Sequence, residues 1–461
     1  MSTLTERMPT LTRFYQRGSE LYKRIVSNRA VTIAVRIFLW LVVLIFAART
    51  VGTFVLERRL GSTIDEVSRK YGSMMPDSLA LPAVPASDNQ AILFRAASEA
   101  LTQTNTEGDL LASVAFRRVR ASEHAEELHR IFDKNKTVID LAQQAAARKG
   151  SSWEIDYKDG TDAKVPDLIQ IIHLERLLAA RALLALDEGS FREAIGALEP
   201  GAVMASSLSR EPMLIVQLIR IAVDHINNGV ILEILRRSPD LEEQDLSSLR
   251  RMLTDAGPVS TMQGAFLGEM KMGYKRFTEA LDGRMTPRML SLVAGDDSMD
   301  VQAGPIDLWL YRPYGLWETR GFLDAYVGLI DELGKPRFER TRAFTLDPKQ
   351  MPRGRGLFYS LAIPNLALGV LRADLTDASR ICGRTAVALE SYARARGNYP
   401  QTLEALVPTY LDRLPIDPFS GHPIEYRREG NGYVLRSQGD DPKFDVGLRD
   451  YDKVVDWRIT R

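Results

Sequence analysis

Few residues in this chain could carry chemistry, and their spacing limits what that chemistry could be. There are five His and one Cys among 461 residues. His124 and His129 lie in Ser-Glu-His-Ala-Glu-Glu-Leu-His, five positions apart. Two metal ligands on one helical face would be four apart, as in His-Glu-x-x-His, so this is not a zincin spacing. Glu123, His124 and His129 still form the best available set for a metal site or a hydrolase. The alternative for them is an exposed helix face. His173 precedes Leu174-Glu175 on an apolar helix and reads as an interior or boundary histidine. His225 beside Asp224 invites a dyad, yet nothing nearby supplies a nucleophile or its positioning turn. His422 falls in a turn, where shape matters more than chemistry. Cys382 lies within a long helix and reads as buried and inert. As the only cysteine, it rules out an intramolecular disulfide and a Cys-rich zinc site. Asp296, Asp297 and Asp300 make an acidic loop with a faint resemblance to a calcium site. No P-loop, dinucleotide fingerprint, Gly-x-Ser-x-Gly or kinase set is present. The sequence therefore names no reaction, and a non-enzymatic protein is the expectation.

The elements that position these residues are more legible. The 60 basic and 60 acidic residues balance, and 45% of the chain is hydrophobic. That composition argues against wholesale disorder and against several membrane spans, and it gives no global case for nucleic acid. The balance is uneven along the chain: residues 1–56 hold eight Lys and Arg against two acids. This basic head leads into the most apolar run, Val31–Leu56, broken only by Arg36 and Arg49. The twelve uncharged residues Ile37–Ala48 cover ~18 Å, less than the ~30 Å hydrocarbon core. Arg36 and Arg49 can snorkel towards opposite faces, and the apolar flanks extend the span. Arg36, Trp40 and Arg49 are thus assigned to a single transmembrane anchor in contact with lipid. Arg7, Arg13, Arg17, Lys23, Arg24 and Arg29 precede it, so the positive-inside rule keeps the N-terminus cytoplasmic. The bulk would lie on the periplasmic or other extracytoplasmic side of an inner membrane. The alternatives are a cleaved signal peptide and a buried core helix. The long basic region, and the lack of a small residue at the −3 position in Phe46-Ala47-Ala48, argue against the first. Pro212–Val223 contains Arg220 and is followed by Asp224, so it does not qualify as a second span.

The expected organisation is a basic tail (1–30), the transmembrane helix (31–56) and a linker (57–88) that opens with a charged helix, Glu57–Tyr71. A helical domain (89–335), a second linker (336–356) and a C-terminal module (357–461) follow. Asp133–Arg148 and Asp167–Asp187 read as helices opened by acids. Lys149–Val165 reads as a polar hairpin or lid. In Ala179–Leu208 a small-residue helix, a Gly turn and Phe191 before Glu-Ala-Ile resemble one tetratricopeptide-like hairpin, with Pro212–Arg237 as a degenerate neighbour. The alternative is an irregular helical bundle. Leu249–Arg284 should continue as helix and Met285–Pro305 as loop. Trp309–Tyr326 is the most aromatic segment, suited to core packing or to a binding hot spot.

Residues 357–461 should form a long helix ending at Gly397, then a small antiparallel sheet. Its hairpin pairs Ile424–Arg427 with Tyr433–Arg436 around a Gly-Asn-Gly tip. The run Ala388–Tyr392, Gly397-Asn398-Tyr399-Pro400, Leu406-Val407-Pro408, Asp417-Pro418, Gly421, Tyr426-Arg427, Gly432-Tyr433 and Ser437-Gln438-Gly439 resembles the C-terminal half of type II secretion major pseudopilins. The whole chain also resembles bacterial membrane-anchored proteins that join a helical region to this tail. The resemblance implies a pseudopilin-like α+β module and protein partners among secretion or pilus-like components. It also implies a calcium site at Asp440, Asp441 and Asp445, in the loop after the sheet. Calcium asks for six to eight oxygens, and Pro442 and Lys443 depart from the Gly-rich spacing of the family, so a solvated acidic loop is the alternative. Pseudopilins begin with a short leader and a peptidase site. Here a basic tail stands in that place and the spine-like helix is internal, so the chain is not expected to be a processed, polymerising subunit. The fold class is mainly α, with one membrane helix, an exported helical domain and this α+β tail.

Overall fold

The apolar run and the charged run after it form one helix, α1 (Arg29–Tyr71), of 43 residues. No proline interrupts Val31–Tyr71, so the sequence offers nothing to separate a membrane segment from the charged helix Glu57–Tyr71. The rod is ~64 Å long and stops at Gly72, whose φ of 76° suits the left-handed C-terminal position. The computed structural model describes residues 29–165, 167–253, 258–282, 305–340, 357–437 and 455–460. Among them are twelve α-helices and one three-stranded antiparallel sheet.

A first layer comprises α2 (Gln90–Ala100), α3 (Asn105–Ala115), α4 (Ala125–Lys134) and α5 (Lys136–Ala146). Asn89 caps α2 through its side chain, and Thr104 with Glu107 forms a capping box on α3. The expected single helix over 133–148 is broken at Asn135. Its amide donates to the carbonyls of Thr102 and Ile131 and accepts from the Thr102 N–H, so it pins the α2–α3 connection rather than continuing a helix.

This layer packs on the hairpin of α6 (Leu168–Asp187) and α7 (Phe191–Leu208), joined through Gly189 at φ 83°. Asp167 caps α6 by accepting from Ile169 N–H at 3.1 Å. Alanines 179, 180, 182 and 185 are buried, which lets the neighbouring helices approach closely. Pro212–Arg237 contains one 24-residue helix, α8 (Leu214–Arg237), instead of a second hairpin. The polar segment 149–165 is neither a hairpin nor detached. Trp153 is 1% exposed and donates its indole N–H to the Ser207 carbonyl, and the Tyr157 hydroxyl donates to Glu211 at 2.6 Å.

Beyond α8 come α9 (Glu243–Met252), α10 (Pro258–Leu281), α11 (Pro305–Leu333) and α12 (Leu357–Arg396). The helix expected over 249–284 is thus two helices, and the expected loop 285–305 lies almost wholly outside the described residues. The sheet has the order β1 (Glu425–Glu429), β2 (Gly432–Ser437), β3 (Val455–Ile459). A Gly430-Asn431 turn, with Gly430 at φ 56°, sets Tyr426 opposite Leu435 and Leu435 opposite Trp457. Tyr433, Leu435, Trp457 and Ile459 are buried with Cys382, Ala386 and Leu389 of α12. The same continuous core contains Leu174, Leu198 and Ile231, so α12, the sheet and the helical bundle are packed as one body. A second core joins Leu60 and Val67 of α1 to Phe266 of α10 and to Leu323, Tyr326 and Ile330 of α11.

Candidate functional site

The bare apolar half of α1 leads into a pairing with α11. Ile33, Val35 and Ile37–Phe46 of α1 are exposed apolar side chains, with Trp40 at 68% exposure. Arg49, which closes the uncharged run, lies 3.4 Å over the Trp309 ring, and Phe46 stacks on the same ring at 5.0 Å. Higher up, Arg312 donates to Glu57 at 2.8 Å, while Lys70 and Tyr71 both donate to Asp331. The two helices therefore run parallel and side by side. Lys70 and Tyr71 meet a residue 261 and 260 positions on, and Trp309 stands 260 positions after Arg49. The charged part of α1 is clasped into the folded body, so the junction between its bare apolar half and the body is helical and packed. The aromatic segment divides by face: Tyr326 enters the core, whereas Trp309, Tyr314 and Trp317 stay 37–46% exposed.

The sequence-derived catalytic candidates do not converge. His129 Nε2 lies 3.1 Å from Glu188 on the surface, in the α6–α7 connection. His124 ends a short 3-10 turn before α4, and Glu123 is exposed. Asp224 faces Arg220 and Arg380 at 3.6 and 3.5 Å, while His225 is exposed and packs near Phe116. The proposed dyad thus points two ways. Burial, then the nearby Arg176, lowers the His173 pKa and favours its neutral form. Cys382 is fully buried, and burial pushes its thiol pKa up. Among the described residues no group of three or more His, Cys, Asp or Glu could hold a metal ion. Asp440, Asp441 and Asp445, like Asp296, Asp297 and Asp300, lie outside the described residues.

One polar feature went unread in the sequence. Gln217, Arg220, Asp224 and Asn227 recur at three and four along α8 and all are buried. Gln217 donates to the Leu208 and Glu211 carbonyls, and Arg220 donates to Thr261 of α10. Asn227 and both carboxyl oxygens of Glu175 have no hydrogen-bond partner among the described residues. Glu175 of α6 presses on Gly201 of α7, where a Cβ would lie 2.3 Å from its Oε2. Burial, with the neighbouring Asp224 charge second, raises the Glu175 pKa well above the ordinary carboxylate range. The helical spacing of four polar residues inside an apolar helix was the available signal.

In the C-terminal module, several residues that carry the pseudopilin resemblance bind one another. The Tyr399 and Tyr433 hydroxyls both donate to Glu390, at 3.0 Å, and the Tyr426 hydroxyl donates to the Pro400 carbonyl at 2.7 Å. Asp417 accepts from Phe419 N–H and from the hydroxyls of Ser420 and Ser437. Glu390 and Asp417 thus tie helix, loop and sheet together as structural acceptors. β1 is an edge strand with its Arg427 and Arg428 side chains exposed, whereas the opposite edge, β3, is held by Arg236 donating to the Arg458 carbonyl. No family model, curated protein or solved structure matches this chain.

Proposed function

We propose that the chain is a single-pass, membrane-anchored, non-enzymatic interaction or assembly protein of the bacterial envelope. The observation that carries this reading is the continuity of α1. Its apolar half is bare, and its charged half is gripped by α10 and α11 through a hydrophobic core and three side-chain contacts to α11. A helix serving only as a removable signal has no need of such a grip, and a core helix would not leave its apolar half uncovered. The basic residues before Val31 set the N-terminus in the cytoplasm and the body across the membrane. The pseudopilin-like tail directs the body towards secretion or pilus-like partners. Among the described residues β1 pairs only with β2, and its other edge offers backbone groups to an added strand.

Removing residues 357–461 would uncover the core faces of α8, α9 and α10, so truncation would test folding and not docking. The test is photo-crosslinking in native membranes from Arg428 on β1 and from Ile92 on α2, both exposed positions. Protein adducts of secretion or pilus-like components from Arg428 are expected. Recovery of no protein adduct from either position overturns the assembly reading.

A further inference from the structure

The outward face of α11 changes chemistry along its length. Its inward stripe, Leu316, Leu323, Tyr326, Ile330 and Leu333, stays apolar throughout and enters the core. On the outward side, Trp309, Leu310, Tyr314 and Trp317 are exposed at 37%, 60%, 46% and 41%. Exposed Arg312 stands among them, bonded to Glu57 of α1, and from Trp317 upward the exposed positions become Asp324 and Asp331, with Arg320 half-buried. α1 makes the same change, from exposed Val51, Phe54 and Val55 to Glu57, Arg58 and Arg59. The parallel pairing, with offsets of 255 to 261 residues, puts these two changes at nearly the same height: Glu57 is bonded to Arg312, five residues before Trp317. A patch for an unrelated protein partner has no reason to end where the neighbouring membrane helix turns polar.

Heights along the axis agree with a lipid surface. A hydrocarbon core needs about 20 residues of helix, and counted from Val31 it ends at Thr50, beside Arg49 and Trp309. From Trp309, Tyr314 is ~7.5 Å and Trp317 ~12 Å further along the helix. The headgroup layer adds only about 5–7 Å per side. However, side chains on a helix lean towards its N-terminus, and α11 rises from that end, so both rings reach back down. Tyr and Trp favour this zone because each joins an apolar ring to a polar group.

Resting on the membrane-anchor reading, we propose that the outward face Trp309, Leu310, Tyr314 and Trp317 is a second foot, seated in the outer headgroup layer of the bilayer that α1 crosses. One rod and one foot fix the rotation of the body about the anchor as well as its distance from the lipid.

Because Cys382 is fully buried, an introduced surface cysteine can be labelled selectively. The full chain would carry, one at a time, Leu310→Cys, Tyr314→Cys, Asp324→Cys or Val43→Cys. Each would be labelled with an environment-sensitive nitrobenzoxadiazole and reconstituted in phosphatidylethanolamine–phosphatidylglycerol vesicles. The expected result is several-fold stronger quenching by lipid-attached quenchers at 310 and 314 than at 324, with iodide in the water giving the reverse order. Water exposure at 314 together with lipid quenching at 43 overturns the foot, leaves the anchor standing, and makes this face a site for a protein partner. Water exposure at 43 itself overturns the anchor reading, and the foot with it.

Discussion

Among the described residues two helices, α1 and α8, are long and apolar enough to cross a membrane, yet one is bare and the other is core. None of the most apolar stretch of α1 is buried in the protein, whereas 72% of that of α8 is. Length and composition do not separate them. The placing of polar residues does. In α1 the arginines stand at the two ends of the uncharged run, where each can reach water or headgroups. In α8 Gln217, Arg220, Asp224 and Asn227 run through the middle, where protein partners, including Thr261 and Arg380, meet the charged members. A polar residue inside an apolar helix is thus a statement about neighbours, and one that helix's own sequence does not contain.

The most forceful way to break the comparison is to place the same charge in both. Val230→Arg, in the buried part of α8, leaves a cation without a partner, and such burial costs several kcal/mol. This variant should fail to give a cooperative unfolding transition. Val43→Arg in α1 should leave the body folded but weaken membrane insertion by about 2.5–3.5 kcal/mol, visible as loss from the membrane fraction. If Val230→Arg folds normally, α8 is not the core helix described here.

Removing one member of the buried set comes next. Asp224→Ala leaves Arg220 and Arg380 without their shared carboxylate and should cost about 3–5 kcal/mol in urea denaturation. Gly268→Ala tests how closely α10 approaches the start of α8, since a Cβ there would fall 1.7 Å from the Pro212 carbonyl oxygen. Overpacking of this kind should cost about 1–3 kcal/mol, read as a lower urea midpoint.

The interior of the bundle also carries a pH signature. The folded-state pKa of Glu175 is raised above its ordinary 4.5, so the folded chain binds a proton that the unfolded chain releases. Its contribution is therefore favourable at acid pH and is lost as pH rises from about 4.5 towards the folded value. The steepest slope for one proton is about 1.4 kcal/mol per pH unit. Glu175→Gln should flatten that part of the stability profile, and an unchanged profile would show that the carboxyl does not hold its proton. The smallest effect is expected at the clasp. Asp331→Asn should cost less than about 1 kcal/mol, because the pair with Lys70 is exposed, and the loss should shrink further in high salt.

Local signals were legible in the sequence where they act over a few residues. The apolar run of α1, the Asp167 cap, the left-handed Gly397 at φ 78° and the Gly430-Asn431 hairpin each follow from nearby residues. What escaped depends on distant partners. The seat of Trp309 under Arg49 joins residues more than two hundred positions apart. Segment 149–165 read as a hairpin or lid because it is polar, yet Trp153 and Tyr157 anchor it to Ser207 and Glu211. Asn135 looked like a helix interior because its neighbours are helical, although its amide serves the α2–α3 connection. For the candidate sites, His129 lies beside Glu188 on the surface, a partner 59 positions away that the local spacing does not contain. The buried set around Glu175 and Asp224 was missed because its members come from separate helices.

The unbroken length of α1 has a mechanical consequence. A ~64 Å helix clamped at one end to a folded body is a lever. Membrane helices tilt as hydrocarbon thickness changes, and each 10° of rotation swings the ends of such a rod by roughly 11 Å relative to one another. With no proline or break between Val31 and Tyr71, α1 acting as the proposed anchor would deliver thinning or thickening of a bilayer to the body as a turn of the whole molecule and not absorb it in a hinge.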